Sequence, residues 1–316
     1  VKVLVDSRLA GQRLDVALAT VLTWRSRASV LRLIDAGLVT VDGRRVAPAR
    51  RVRAGEVIVV EIPPAPVAHP DTTAPIDLRV LYEDAWMVAV DKPPGMAVHP
   101  SGRHLSGTLM QELHRRYRRP SEPAHDVVPR LLHRIDLETS GLVAVGLDER
   151  FHQLVGRQFE DRLVRKSYLA VVHGTPSPRE GTIDLPIVHD KASAVRLKLR
   201  TGTAGEGLSA VTHYRVERGN DRYSLVAAMP RTGRTHQIRV HFAAIGCPIV
   251  GDKLYGPDEQ FFLRHIDGTL TVEERRSLVL DRHALHSHSL AFHHPMLGRD
   301  VELTAPLPED LRALVE

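Results

Sequence analysis

The stretch His133-Arg134-Ile135-Asp136-Leu137-Glu138-Thr139-Ser140-Gly141 sets one carboxylate, Asp136, in a short polar turn between two apolar runs. Val127 to Leu132 precedes it and Leu142 to Leu147 follows, so the segment reads as loop, turn and buried strand. A carboxylate at such an edge can face a ligand. The same residues also suit an architectural turn, in which Asp136 and Thr139 hydrogen-bond the local backbone and Gly141 supplies an unusual φ/ψ. Nine residues leave both readings open, and the rest of the chain has to decide.

The elements available to position that turn follow from length and pattern. A chain of 316 residues with 43% hydrophobic content buries a full core and is expected to hold two domains. One cysteine, Cys247, excludes an intrachain disulfide framework and leaves no cysteine cluster for zinc, which fits a reducing cytoplasm. Eighteen histidines invite a metal reading, but His236 and His241 are five apart on an expected strand and no pair has zinc-site spacing, so no metal is expected. The first acid, Asp6, comes too early for a signal sequence, and no run approaches about 18 apolar residues, so no membrane span is expected either.

Residues 1–62 carry eleven Lys/Arg against six Asp/Glu, which is the whole formal net charge of +5. That segment is an electrostatic handle for a polyanion, nucleic acid above all. Leu14, Ala17, Leu18, Val21 and Leu22 repeat at helical spacing. Ser26 can cap a second helix, with Val30, Leu31, Ile34 and Leu38 as its apolar face and Gly37 as its stop. Val39 to Val41, Asp42-Gly43 and Arg44 to Val46 form a hairpin, and Val57 to Ile62 a further strand. Five prolines within Pro63 to Pro75 make residues 63–75 an extended linker. Beyond it, residues 76–316 carry β-type runs at 88–90, 142–145, 168–172, 223–226 and 237–242, with helical patterns at 105–117 and 151–159. This mixture predicts an α+β domain on a mixed, largely antiparallel sheet.

Four segments in order, Lys92-Pro93-Pro94-Gly95-Met96 with His99-Pro100, the Asp136 turn, Lys166-Ser167-Tyr168-Leu169-Ala170, and Thr232-Gly233-Arg234-Thr235-His236-Gln237-Ile238-Arg239-Val240-His241, resemble the RluA-type pseudouridine synthases. Pro248 to Gly256 and Leu285-His286 fit the same pattern, and the likeness covers roughly Leu78 to Pro306. The first 62 residues resemble the small RNA-binding module of ribosomal protein S4, through Gly11 to Asp15 and Leu33 to Gly43. On that second likeness Arg27, Arg32, Arg44 and Arg45 would lie on one exposed side and contact phosphates.

The first resemblance implies one mixed sheet with a central RNA cleft and conversion of specific uridines to pseudouridine, without metal, nucleotide or redox cofactor. It assigns catalysis to Asp136, acting on the uracil ring or at the sugar. It pairs Asp136 with Arg234, places Tyr168 as a stacking platform for the flipped base, and sets Ile238 on the opposite wall. Arg234 is preferred to Arg239 because residues five apart on a strand face opposite ways. Arg134 would fill the space left by the flipped base, with His133 and Thr139 beside it on the substrate. Leu137 departs from a position where many relatives carry Arg or Lys, which bears on substrate choice. A monomer acting on large-subunit ribosomal RNA, or on transfer RNA, is expected. A non-catalytic ribosome-assembly protein has no need of Asp136, Tyr168 and Arg234 together. A kinase is excluded because the H-R-D likeness at His133 to Asp136 has an extra Ile135 and lacks a glycine-rich loop and a D-F-G segment.

Overall fold

The computed structural model describes residues 1–22, 27–61, 76–100 and 105–316, with backbone alone at 27–29, 32 and 123. The expected linker at 63–75, the Ser26 cap and the side chains of Arg27 and Arg32 lie outside the described residues. Contacts divide the chain into two compact units, Val1–Thr72 and Thr73–Glu316.

The first unit runs β1 (Lys2–Leu4), α1 (Leu14–Val21), α2 (Arg27–Asp35), β2 (Val39–Val41), β3 (Arg44–Arg45) and β4 (Val57–Val60). Its sheet has the order β1-β4-β2-β3. Leu14, Ala17, Leu18 and Leu22 close onto Val30, Ile34, Val39, Ile58 and Val60 in one small core. Helix α2 stops at Gly37, whose φ of 73° lets its N–H reach Ile34 and the next N–H reach Leu33. Asp42 and Gly43 take φ of 49° and 76°, the pair of positive values that a tight two-residue hairpin needs. Arg44 and Arg45 are exposed on β3.

The second unit runs β5 (Arg79–Glu83), β6 (Met87–Lys92), α3 (Leu109–Tyr117), β7 (Arg130–Leu131), β8 (Ser140–Gly146), α4 (Glu149–Glu160), β9 (Arg165–His173), β10 (Glu180–Asp184), β11 (Ile187–His189), β12 (Leu199–Thr201), β13 (Val211–Gly219), β14 (Tyr223–Pro230), α5 (Gln237–Ala244), α6 (Gln260–Ile266), α7 (Val272–Leu278), β15 (Leu285–His294), β16 (Arg299–Thr304) and α8 (Glu309–Arg312). Its main sheet has the order β10-β13-β14-β9-β15-β8-β6-β5, with β7 on β8 and β16 on β15. The pairing of β15 with β8 is parallel and the other named pairs are antiparallel, so the α+β reading holds.

Strands β6 and β8 read as unbroken apolar runs because both faces are buried. Met87, Ala89, Leu142 and Ala144 pack toward Phe151 and Val155 of α4. Val88, Val90, Val143 and Val145 pack toward Leu109 and Leu113 of α3. The helical pattern at 105–117 begins late, at Leu109, because Thr108 accepts from the Gln111 N–H and Gln111 reaches back to Thr108, closing a capping box.

One expected strand is a helix. Residues 237–242 belong to α5, in which Gln237 through Phe242 are all buried. A helix covered on every side loses the polar stripe that gives the 3.6-residue period, and Ile238 and Val240 then mimic a strand.

Candidate functional site

The turn that carries Asp136 is tied down from three directions. Gly141, the second residue of β8, has φ 105°, and an added Cβ would collide with the carbonyl of Ser287 and the ring of His286, so no side chain fits. Ahead of it, Glu138 accepts from Lys253 Nζ at 2.8 Å and from the His283 N–H at 3.0 Å, while Thr139 Oγ1 meets His283 Nε2 at 2.7 Å. From the third side, buried Lys92 donates to the carbonyls of Pro93, Met96 and Leu137 at 2.8, 2.9 and 3.1 Å. The Gly95 N–H also donates to Leu137. The Lys-Pro-Pro-Gly-Met segment is therefore a clamp on the residue that follows Asp136.

Asp136 Oδ2 receives Arg239 Nη1 at 3.0 Å. The rest of that guanidinium is held by Asp252, with Nε to Oδ2 at 2.7 Å and Nη2 to Oδ1 at 2.9 Å, and it lies 5.0 Å from the centre of the Tyr255 ring. The expected partner, Arg234, is not the one that pairs. Arg234, in the loop before α5, donates from Nε to the Ser209 carbonyl at 3.1 Å, while Arg239 sits in the first turn of the helix and faces Asp136. The strand argument that favoured Arg234 fails because the backbone between the two arginines is helical from Gln237.

Burial would raise the Asp136 pKa, but Arg239, its hydrogen bond, and the neighbouring His236 and His283 outweigh it, and the net shift is downward. Burial first, and then the charge of Arg239, pull both histidines down to about 4, so at neutral pH the standing countercharge is the guanidinium. His236 Nε2 is 3.9 Å from Asp136 Oδ2, and its Nδ1 is 2.8 Å from Tyr255 Oη.

Asp136 opens onto a cleft of about 460 Å³. All seven residues expected at the active centre, His133, Arg134, Asp136, Thr139, Tyr168, Arg234 and Ile238, line it. Tyr168 stands on β9 with its phenol pushed up to about 12 by burial and by Asp136, with Ser287 acting the other way, so the hydroxyl keeps its proton. Ile238 on α5 is buried. His133 is committed to the fold, because its Nε2 accepts the Ala144 N–H at 3.0 Å and its ring stacks on Phe159 at 5.5 Å. Thr139 likewise bonds to His283, whereas Arg134 is exposed at the rim. Arg162, Lys166 and Arg231 join it there, and none of these four takes part in an ion pair among the described residues. Arg44 and Arg45 belong to the other unit.

Arg239, Asp252, Tyr255, Lys92 and His236 went unassigned although each lies inside a segment singled out by its motif. Asp252 and Tyr255 sit in the Pro248 to Gly256 run, where only a contact could reveal that they hold the arginine.

The arrangement is an ionised carboxylate near a buried tyrosine in a cleft lined by cations, which suits a polyanionic substrate. The chain matches the RNA pseudouridylate synthase family over residues 87–244 and the S4 domain over residues 12–58. It is 40% identical over 315 residues to an uncharacterized RNA pseudouridine synthase of Chloroflexus aurantiacus, covering 99% of this chain and 92% of that protein. It is 37% identical over 315 residues to ribosomal large subunit pseudouridine synthase D of Xanthomonas campestris, covering 98% and 90%. The structure of human RNA pseudouridylate synthase domain containing 1 aligns with a TM-score of 0.60 at 25% identity, covering 77% of this chain and 90% of that one. The chain belongs to the RNA pseudouridylate synthase family and carries an S4 domain ahead of its catalytic unit.

Proposed function

We propose that the protein converts uridine to pseudouridine in large-subunit ribosomal RNA, with Asp136 as the catalytic carboxylate. The observation that carries this is the ionised Asp136, 3.0 Å from Arg239, at a cleft lined by Tyr168 and Ile238. A uracil swung out of its stack is held between Tyr168 and Ile238, and the cations lining the cleft take the flanking phosphates. Arg134 is the rim residue placed to enter the gap in the RNA. Arg239 keeps Asp136 charged in a partly dry site, and Asp252 fixes Arg239 by a two-point grip. The residues present supply a nucleophile or base without a cofactor. Xanthomonas synthase D, named for the ribosomal large subunit, supports that target, and the exposed Arg44 and Arg45 of the S4 domain support a large structured RNA.

The experiment is pseudouridine mapping by reverse-transcription stops on unmodified large-subunit ribosomal RNA treated with purified protein, with transfer RNA in parallel. Wild type should place one or a few pseudouridines in the ribosomal RNA, and Asp136→Asn should place none while still binding it. Activity retained in Asp136→Asn overturns the catalytic assignment, and modification of transfer RNA alone overturns the target.

A further inference from the structure

The hydrogen bonds around Tyr255 determine which nitrogen of His236 carries the proton. The backbone N–H of Leu199 donates to Tyr255 Oη at 3.1 Å, so that oxygen is already an acceptor. Its other contact is His236 Nδ1 at 2.8 Å. Were the ring proton on Nδ1, the phenol would accept twice, and its own proton would face no acceptor among the described residues in a side chain only 7% exposed. Tyr255 therefore donates to Nδ1, and the imidazole proton sits on Nε2.

That Nε2–H lies at the cleft beside Asp136 and has no acceptor within hydrogen-bond reach among the described residues. Asp136 Oδ2 is 3.9 Å away, beyond hydrogen-bond reach, and Arg239 already occupies that oxygen at 3.0 Å. The backbone of His236 is held at φ 55°, a left-handed value that a β-carbon disfavours, by the helix that starts at the next residue and by the Val240 N–H on its carbonyl. With its pKa near 4, the ring is a neutral donor at physiological pH rather than an acid.

We infer that His236 is a catalytic residue that touches the substrate, donating its Nε2–H to a carbonyl oxygen of the reacting uracil, with Tyr255 as the positioning residue that fixes its tautomer. This rests on the assignment of Asp136 above. The donor serves either chemical route. If the carboxylate adds to carbon six, the electron pair of the ring double bond moves onto the carbon-four carbonyl. If the carboxylate acts at the sugar, the pair of the broken glycosidic bond moves onto the departing uracil and spreads over its carbonyls. In both, a uracil oxygen becomes anionic while the Nε2 proton stays where it is, and a neutral donor fixed in advance is stronger against that oxygen than against the ground-state carbonyl.

The test is steady-state isomerisation of the RNA that wild type modifies, with melting temperatures, for His236→Leu, His236→Gln, Tyr255→Phe and Asp136→Asn in the full chain. His236→Leu should lower kcat on the order of 100-fold with KM within threefold, the signature of a contact made in the transition state. His236→Gln, which returns an N–H to the same side, should recover most of that loss. Tyr255→Phe, which keeps the ring and frees the tautomer, should fall between. A wild-type kcat in His236→Leu, or a Gln variant as slow as Leu, overturns the inference. If His236→Leu does not fold, full kcat in Tyr255→Phe overturns it and a reduced kcat at unchanged KM supports it. An inactive wild type or an active Asp136→Asn instead breaks the Asp136 assignment, so the two failures are separable.

Discussion

Arg234 and Arg239 stand in one sequence motif, and of the two it is Arg239 that pairs with Asp136. Arg239 is 7% exposed and bridges two carboxylates, so Arg239→Lys, with a point charge in place of a planar fork, cannot keep both contacts. We expect a fall in kcat of at least 100-fold and a loss of stability of about 3 kcal/mol from the poorly matched, buried Asp252. Arg234→Ala removes a cation that lines the cleft and should instead raise KM for RNA roughly tenfold at nearly constant melting temperature. Equal kcat losses in the two variants would restore the assignment made from sequence. Tyr168 separates in the same manner: Tyr168→Phe should be near normal if the ring serves as a platform, and Tyr168→Ala should not. A Phe variant as inactive as Ala would give the hydroxyl a chemical step. Motifs read through a family resemblance were enough to gather Asp136, Tyr168 and the other expected residues at one cleft. They were insufficient for Arg239, because the choice between two arginines depended on a helix whose pattern burial had erased.

At the scale of elements, most of the sheet was legible, since Val88 to Val90, Leu142 to Val145, Tyr168 to Val172 and Tyr223 to Val226 all fall in strands. What the pattern could not supply was the joinery between them. The parallel step of β15 onto β8, at His286 with Ser140 and Ser287 with Gly141, places Gly141 against a backbone carbonyl and aims the preceding turn at α5. Gly141→Ala forces both a disfavoured φ and a steric collision with backbone. It should cost more than about 2 kcal/mol and depress activity with it, measured by denaturant midpoint and by rate. The Lys92 clamp gives a pH test of the same joint. Burial, partly opposed by Asp136 and reinforced by Arg282, lowers its pKa from 10.5 to about 7. Between those values the unfolded chain binds the proton that the folded chain has released, so stability rises with pH across that window. The difference in stability between wild type and Lys92→Met should thus shift in favour of wild type from pH 7 toward pH 10. A difference independent of pH would mean that the three carbonyls hold Lys92 fully charged throughout.

Across the whole molecule, charge and chemistry are segregated. The first 62 residues hold a net +5 and the remaining chain none, yet every group at the reacting centre lies beyond residue 76. Each of the two units has its own buried core, built around Leu14, Leu18 and Ile58 in one and around β9, β14 and α5 in the other. Removal of residues 1–62 should therefore leave a folded catalytic unit whose cleft and local cations are unchanged. Its affinity for long RNA should drop, and the slope of log affinity against log salt should flatten, because fewer phosphate counterions are displaced per binding event. Isomerisation of a short stem-loop at saturating concentration should survive, since the rim of Arg134, Arg162, Lys166 and Arg231 remains. Titrations of full-length and truncated protein on large-subunit ribosomal RNA at several salt concentrations decide the matter. Identical affinities and slopes would mean that the cleft unit alone holds the RNA and that the basic segment serves another purpose.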